Sequence, residues 1–247
     1  MRRALWMMAV VTLGNVAPAA GQFPPDSVVN LQVLSEDMAP RQVIRVMREF
    51  AMGLGVRCEH CHVGEPGQPL GSFDFVSDEK PAKEKARDML RMVTAINGEH
   101  LANLPARSDP PLEVTCATCH HGLNRPVTLV DELMGVYDEG GVDAAIERYR
   151  ALRERYYGSW TYDFTELSLN LLAEGIAQRD DYDGAIAILE LNQEHFPESS
   201  AIYLGLAQMY EEKDDIELAI QHAEKSLELN PRNPVAQRLL RQLRGND

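Results

Sequence analysis

The first half of the chain contains two stretches in which hydrophobic side chains recur every three or four positions, the spacing of one face of an α-helix. The first stretch predicts a helix over residues 40–54. Pro40 suits its first turn, and Gly55 can end it. The apolar face of this helix is formed by Val43, Met47, Phe50 and Leu54, and is widened by Ile44 and Ala51.

The second stretch predicts a helix that holds Pro81 in its first turn and ends at Asn97-Gly98. Ser77 or Asp78 can cap its amino-terminal end. Between the two helices, the glycines and prolines of residues 64–71 indicate a loop. The apolar face of the second helix is formed by Ala82, Ala86, Met89, Val93 and Ile96, with Met92 on its flank.

From Leu129 onward the chain becomes acidic and helix-forming, and a fixed period appears. Three pairs of equivalent residues are each 34 positions apart: Ala173 and Ala207, Ala185 and Ala219, Pro197 and Pro231. A period of 34 is that of tetratricopeptide repeats, whose units are pairs of antiparallel helices. The small alanines allow the paired helices to approach closely.

Shorter patterns point to the same repeat. Residues 183–186 (Asp-Gly-Ala-Ile) and 217–220 (Glu-Leu-Ala-Ile) occupy equivalent places at the start of a second helix. An earlier, irregular unit is predicted around residues 143–146, and Asn233-Pro234 begins a final helix that would cap the stack. Residues 129–247 therefore resemble a short tetratricopeptide array. Such an array presents a concave surface to peptides or partner domains, or serves as a spacer or an oligomerisation surface.

The residues that carry chemistry form two copies of C-x-x-C-H, at residues 58–62 and 116–120. This is the attachment signature of c-type haem, in which two thiols become thioethers to the porphyrin and the adjacent imidazole ligates the iron. The motifs use all 4 cysteines of the chain. We expect two haem c groups, attached through Cys58, Cys61, Cys116 and Cys119 and ligated by His62 and His120.

Two simpler interpretations of the cysteines exist, namely two local disulfides or one tetrahedral zinc site. Zinc ligand pairs of the ribbon type lie about 15–20 residues apart, whereas more than fifty residues separate these motifs. Neither alternative explains why a histidine follows each pair directly. The doubled signature favours haem.

Each haem iron also needs a sixth ligand, and methionine or histidine can supply it. Met47 lies on the apolar face of the first predicted helix, and Met92 and Met89 lie on or beside that of the second. Methionine on such a face commonly fills the core instead. Arg57 and Arg125 flank the motifs, where a guanidinium can pair with a haem propionate or remain exposed to solvent.

Three longer stretches, residues 45–62, 87–97 and 114–122, resemble the cytochrome c subunit of photosynthetic reaction centres, and the resemblance extends over about residues 30–128. The resemblance implies a helix-borne axial methionine ahead of each motif. That pattern falls on Met47 for the first haem and on Met92 for the second, with Met89 in reserve. The family's subunit carries four haems, whereas this chain has motifs for two.

The first 21 residues have the pattern of an export signal. Met1-Arg2-Arg3 is a basic start, an apolar run follows, and small residues lead up to a cleavage point after Ala19 or Gly21. The alternative is an uncleaved anchor, although the apolar run is shorter than the roughly 20 residues that span a bilayer. We expect a signal peptide at residues 1–21, a dihaem cytochrome c domain at 22–128 and a repeat domain at 129–247.

The net charge of −14 is unevenly distributed along the chain. Residues 22–128 contain 14 acidic and 11 basic side chains, and residues 129–247 contain 24 and 11. The acidic second half repels phosphate backbones, so nucleic acid is excluded as the expected partner. A basic redox partner protein fits this surface, although acidic side chains can also serve solubility alone.

The sequence therefore predicts an all-α protein in which a multihaem cytochrome c domain with little regular sheet precedes a helical-hairpin solenoid. The expected function is one-electron transfer in the periplasm or at the cell surface, with histidine and methionine as axial ligands. The repeats would serve docking or assembly. Two alternatives are a dihaem peroxidase-type enzyme with a dissociable ligand at Met92, and a subunit of a haem-containing scaffold or filament.

Overall fold

The computed structural model describes residues 22–105 and 108–245. The predicted signal of residues 1–21 lies outside this range. The chain divides into two compact units, of which the first ends at Thr118 and the second begins at Cys119. We call them the N-terminal unit and the C-terminal unit. Within the described ranges, no helix combines the length and the apolar character needed to cross a membrane.

Two long helices, α1 (Pro40–Leu54) and α2 (Pro81–Ala95), form the frame of the N-terminal unit. Gly55, at φ 64°, ends α1 in the left-handed conformation that glycine adopts without steric cost. The only β contact among the described residues is an isolated bridge between Val63 and Asp74. The expectation of an all-α protein with little regular sheet is confirmed.

The second helix differs at both ends from the sequence prediction. Pro81 is its first residue, but the preceding Lys80 gives no side-chain cap, and Asp78 instead binds side chains of the helix. At the other end, the helical conformation does not end at Gly98. A π-helical turn (Ile96–His100) continues directly from α2, because glycine is tolerated at helical dihedrals and other contacts hold this turn.

A short helix, α3 (Cys116–His120), carries the second C-x-x-C-H motif. The C-terminal unit then consists of helices that pair in chain order, as the period of 34 predicted. They are α4 (Leu129–Tyr156), α5 (Glu166–Ala177), α6 (Tyr182–His195), α7 (Ser200–Glu212), α8 (Ile216–Leu229) and α9 (Pro234–Leu243).

The 28-residue α4 is a helical hairpin and not one rod. Gly141 has φ 76° and ψ −173°, which interrupts the helix and which glycine adopts readily. The guanidinium Nε of Arg148 donates to Glu132 at 2.9 Å, although a straight helix would separate residues 16 apart by about 24 Å. The two limbs therefore lie side by side and form the irregular first repeat.

The two regular repeats share the same capping contacts. Asp181 caps α6 by accepting from the backbone N–H of Gly184, and Asp215 caps α8 by accepting from Leu218. These aspartates are 34 residues apart, and such caps satisfy backbone donors that the helix cannot. Asn233 caps α9 in the same way, which agrees with its predicted role as the start of the capping helix.

Buried apolar side chains are concentrated in the C-terminal unit. Its alanines at the repeated positions are closed to solvent, with Ala185, Ala207 and Ala219 each at 0% exposure. Among the described residues of the N-terminal unit, Val43 is the only buried hydrophobic side chain. A unit of this size ordinarily needs a larger apolar core or a bound group to be stable.

Candidate functional site

The first C-x-x-C-H motif forms a single tight turn. Residues Cys58–His60 are a 3₁₀ helix, and the backbone N–H groups of Cys61 and His62 both donate to the carbonyl of Cys58, at 3.2 and 2.9 Å. This turn gathers the two thiols and the imidazole into one short segment. The arrangement is the one that haem attachment requires of these residue types.

The imidazole of His62 lies in a half-buried setting. Burial, reinforced by the positive charges of Lys83 and Lys80, lowers the pKa of His62 to about 4. The ring is therefore neutral at pH 7, the form in which histidine binds a metal. Its Nδ1 atom is buried and has no hydrogen-bond partner among the described residues. The edge of Phe75 packs against the ring at a centroid distance of 4.9 Å.

Lys83 of α2 holds the loop that carries Phe75. Its ammonium donates to three successive carbonyls, those of Phe75 at 3.0 Å, Val76 at 3.1 Å and Ser77 at 2.8 Å. It also pairs with Asp78 at 2.9 Å. Because an ammonium has three donors, this one side chain fixes the path of the whole loop.

Asp78 is the centre of a second set of contacts to the same loop. It pairs with Arg87 of α2 at 2.9 Å and accepts two hydrogen bonds from the side-chain amide of Asn30, at 3.0 and 3.1 Å. These partners, with the Arg87 guanidinium as the largest contributor, hold the pKa of Asp78 well below its usual range. The carboxylate is therefore ionised throughout the physiological range, and it connects the amino-terminal segment, the loop and α2.

The second motif is fixed at its start by two threonines. The backbone N–H of Thr115 donates to the hydroxyl of Thr118 at 3.0 Å, and the N–H of Thr118 donates to the carbonyl of Thr115 at 3.1 Å. The first bond is one half of a helix-capping box, and the second is the backbone hydrogen bond of the same turn. It starts the short helix α3 directly at the first cysteine of the motif.

The imidazole of the second motif is oriented by a backbone carbonyl. Nδ1 of His120 lies 2.8 Å from the oxygen of Leu123, and the N–H of Leu123 donates to the carbonyl of His120, also at 2.8 Å. The turn between them passes through His121 and Gly122, at φ 49° and 82°. Since Nδ1 donates to the carbonyl, Nε2 is the atom left to ligate a metal.

Asn97 connects the end of α2 to the segment that leads into the second motif. Its amide donates to the carbonyl of Val114 at 2.8 Å, and its side-chain oxygen accepts from the N–H of Val114 at 2.8 Å. The helix that carries Met92 is thus tied to residues two positions before Cys116. These two hydrogen bonds also explain why the helical conformation continues through Gly98.

The two motifs lie close together because α1 contacts the second one. A Cβ atom added to Gly53 would be 3.0 Å from the backbone nitrogen of Ala117 and 3.3 Å from Cβ of Cys116. Gly53 precedes Cys58 by only five residues, a span of at most roughly 18 Å even for an extended chain. Both attachment sites are therefore within a short distance of the end of α1.

The candidate axial methionines lie on the two helices where the sequence predicted them. Met47 is half-buried on α1. On α2, Met92 is 46% exposed and Met89 is 43% exposed. The buried face of α2 is instead marked by Arg87, which binds Asp78. The assignment of Met47 and Met92 as ligands stays a prediction.

The residues present fit a haem in their chemistry. In the N-terminal unit, several apolar side chains that ordinarily prefer burial are exposed, and an apolar macrocycle could cover some of them. A neutral imidazole is available at His62, and His120 has the hydrogen bond that fixes a ligating tautomer. The exposed large hydrophobic side chains of the N-terminal unit are Val29, Met52, Val76, Met89, Met92, Leu104 and Leu112.

The alternative cysteine chemistries receive no support from the geometry. None of the four cysteines, all of which are described, forms a disulfide. The described residues contain no group of three or more histidine, cysteine, aspartate or glutamate side chains that could hold a metal ion. A four-ligand zinc site of the kind considered above would need such a group.

Sequence reasoning missed the residues that position the motifs. Lys83, Phe75 and Asn97 act through backbone carbonyls or ring packing, and such contacts leave no pattern of paired residue types. One available signal was the density of charged side chains along α2. That density includes Lys83 and Arg87, both of which point inward to Asp78.

Comparisons with solved structures and curated sequences find partial relatives. The first tetratricopeptide domain of Spaghetti (RPAP3) bound to an HSP90 peptide is 18% identical, covering 47% of this chain and 88% of that chain with a TM-score of 0.35. The second such domain of human RPAP3, in complex with an HSP70 peptide, is 19% identical, covering 47% of this chain and 92% of that chain with the same TM-score of 0.35.

Cytochrome c-554 of Chloroflexus aurantiacus is 40% identical over 101 residues, which is 40% of this chain. The match spans only 21% of the length of that protein. Two family models match the chain. Residues 171–243 match the tetratricopeptide repeat family, as the period of 34 predicted. Residues 7–180 match the photosynthetic reaction centre cytochrome C subunit, and since this is more than half of the chain, the protein belongs to that family.

Proposed function

We propose that the protein is an exported electron carrier with two covalently attached haem c groups, each held by one histidine and one methionine. The observation that carries the proposal is the doubled C-x-x-C-H motif, each copy of which is folded into one helical turn. Family membership supports haem c as the cofactor. The proposed axial pairs are His62 with Met47 and His120 with Met92.

When bound, haem c supplies an iron that gains and loses one electron without changing its ligands. The side chains of this protein would hold it in place. Cys58, Cys61, Cys116 and Cys119 would form the thioethers, and the imidazoles of His62 and His120 would bind the metal. Because Phe75 and the Leu123 carbonyl fix the two rings, little rearrangement would accompany oxidation or reduction.

The closeness of the motifs supports transfer between the two groups. Gly53 lets the end of α1 pack directly on Cys116 and Ala117, and the chain then reaches Cys58 within five residues. A side chain at Gly53 would push the two attachment segments apart. We infer that electrons pass from one haem to the other within the protein.

The C-terminal unit would supply the contacts to other proteins. Its helices α5 to α9 match the tetratricopeptide family, whose stacked hairpins form surfaces for partners. The excess of acidic side chains from residue 129 onward favours a basic partner. We propose docking or assembly as the role of this unit.

The deciding experiment is a pyridine haemochrome assay on the purified mature protein, combined with single cysteine-pair variants. We expect two covalent haems in the wild type and one after replacing Cys58 and Cys61, or Cys116 and Cys119, by alanine. Fewer than two haems in the wild type would overturn the proposal.

Axial ligation is tested by replacing Met47 with alanine, which should produce a ligand-accessible, high-spin haem. Met52→Ala is the matched control, because Met52 lies on the same helix and is 68% exposed. On α2, Met92→Ala is compared with Met89→Ala, which tests the reserve ligand of the second haem. An unchanged spectrum in Met47→Ala or Met92→Ala removes that methionine as a ligand.

A second candidate function is a peroxidase-type enzyme in which Met92 would dissociate to admit substrate. If the second haem reacts, cyanide or carbon monoxide should change the spectrum of the resting wild-type protein, and peroxide should be consumed. An electron carrier with two stable methionine ligands would show neither effect.

A further inference from the structure

A cavity of about 330 Å³ lies in the C-terminal unit, beside the loop that follows the second motif. Its walls come from residues 123–127 and from both limbs of α4. Three arginines line it, Arg125, Arg148 and Arg155, together with the amide of Asn124. A basic cavity is unexpected in a unit where acidic side chains outnumber basic ones by two to one.

The positive charge of this cavity is only partly neutralised. Glu132 is the one acidic side chain in its lining, and Arg148 binds it through both Nε at 2.9 Å and Nη2 at 2.5 Å. Neither Arg125 nor Arg155 forms an ion pair with any residue that the structure describes. Two guanidinium groups therefore remain available to one ligand.

Two of the three arginine side chains, those of Arg148 and Arg155, are restrained before any ligand arrives. The guanidinium of Arg155 lies over the ring of Tyr156 at 5.0 Å, a cation–π contact that restrains it. The loop of Arg125 is fixed at both ends, by the bonds between Leu123 and His120 and by Thr128, whose hydroxyl caps α4. Because the side chains of Arg148 and Arg155 and the backbone at Arg125 are already ordered, binding an anion costs less conformational entropy.

We propose that this cavity, formed by Arg125, Arg148, Arg155 and Asn124, is a binding site for a carboxylate ligand. Guanidinium groups match the planar, two-oxygen geometry of a carboxylate, and the amide of Asn124 can donate to it. Tyr156 and Tyr162 provide an aromatic wall for the carbon skeleton. Two sources can supply such a group: a propionate of the haem on the second motif, or a free polycarboxylate.

The test compares the wild-type holoprotein with the double variant Arg125→Gln/Arg155→Gln and with each single variant, in case the double variant folds poorly. These two arginines are chosen because their loss breaks no ion pair. Arg232→Gln is the control, since Arg232 is exposed in the same acidic unit and lies outside the cavity. Circular dichroism reports whether the helices persist.

The first measurement is a potentiometric titration between pH 5 and pH 8, and it rests on the proposed function. If a haem propionate occupies the cavity, removing the arginines takes away positive charge beside one haem and lowers its midpoint potential. The pH range over which that potential varies should move upward, because arginine favours the ionised propionate. The other haem should keep its potential.

The second measurement is calorimetric titration with citrate at constant ionic strength, and it does not depend on haem. If the site takes a free polycarboxylate, citrate binds the wild type, and its affinity falls by about tenfold or more in the double variant. The haem potentials then stay unchanged. A failed haemochrome assay would overturn the proposed function and leave this measurement valid.

Either response, confined to the cavity variants, supports a carboxylate site and identifies its source. The proposal is overturned if neither the potentials nor citrate binding differ between the double variant and the wild type. It is also overturned if Arg232→Gln produces the same change, because the effect would then come from overall charge.

Discussion

Nδ1 of His120 donates a hydrogen bond to the carbonyl of Leu123 at 2.8 Å, whereas Nδ1 of His62 is buried without such a partner among the described residues. A carbonyl acceptor makes an imidazole a stronger electron donor to a bound metal. The two motifs thus present ligands of different basicity. This difference provides a direct physical cause for unequal reduction potentials.

We expect two resolved midpoint potentials, the lower one at the haem of the second motif. Gly122→Ala should raise that potential, because φ 82° at Gly122 shapes the turn that presents the Leu123 carbonyl, and a side chain is strained there. Spectroelectrochemical titration measures both values, and Met47→Ala identifies the first haem.

Gly67→Ala is the control for this experiment. Gly67 has the same φ of 82° and open space around it, so that alanine imposes a similar backbone strain of roughly 1–2 kcal/mol in the loop between α1 and α2. It should leave both potentials unchanged. Equal potentials in the wild type, or no change in Gly122→Ala, would contradict the expectation.

Lys83→Met should weaken the N-terminal unit and loosen the ring of His62. The variant loses three hydrogen bonds to carbonyls and the ion pair with Asp78, at a cost of about 3 kcal/mol in the free energy of unfolding. Methionine has a similar helix propensity, so α2 itself is spared. Chemical denaturation measures the loss.

Lys85→Met is the matched control on the same helix, because Lys85 is exposed and forms no ion pair with a described residue. We also expect Lys83→Met to broaden the absorption or magnetic resonance signals of the first haem, since Phe75 would no longer be held against His62. Equal stability of the two lysine variants would show that the loop is fixed by other contacts.

The helix packing and helix caps of the C-terminal unit could be predicted from the sequence. The alanines 34 residues apart are buried between helices, and the aspartates that precede α6 and α8 cap them. Both follow from local rules, since a small residue permits close helix packing and a side-chain oxygen satisfies free N–H groups. Even the irregular first repeat was visible from residues 143–146.

The N-terminal unit could be predicted less completely. The two long helices followed from spacing, but the π turn after Ala95 did not. Asn97 holds that turn by binding the backbone of Val114, and backbone groups are the same for every sequence. The inward-facing Lys83 and Arg87 were also hidden, because a charged side chain on a helix is ordinarily assigned to solvent.

Acid should destabilise the N-terminal unit through Asp78. Its pKa is depressed in the folded state, chiefly by Arg87, so its stabilising contribution is fully present above its unfolded pKa of about 4 and is lost as the pH falls toward the folded value. The denaturant concentration at which the wild-type protein is half unfolded should therefore decrease once the pH falls below about 4.

Asp78→Asn removes the titrating group while keeping the shape of the side chain. This variant should be less stable than the wild type at pH 7, and the difference between them should shrink as the pH is lowered below 4. Asp37→Asn, at an exposed position, serves as the control. A difference that stays constant from pH 7 to pH 2 would exclude Asp78 as the source of acid sensitivity.

Asn192→Ala should destabilise the C-terminal unit without changing either haem. The side chain of Asn192 is 0% exposed and donates to the carbonyl of Glu166 at 2.8 Å and to Asn170 at 3.0 Å, which ties α6 to the start of α5. Alanine removes both hydrogen bonds and leaves space between the two helices, at a cost of about 2 kcal/mol. Gln208→Ala, at an exposed position of α7, should cost far less.

Denaturation of the Asn192→Ala variant, followed by far-ultraviolet circular dichroism, gives its stability, and potentiometry in parallel should return wild-type potentials. A shift in either potential would instead show that the C-terminal unit and the haem sites are energetically coupled.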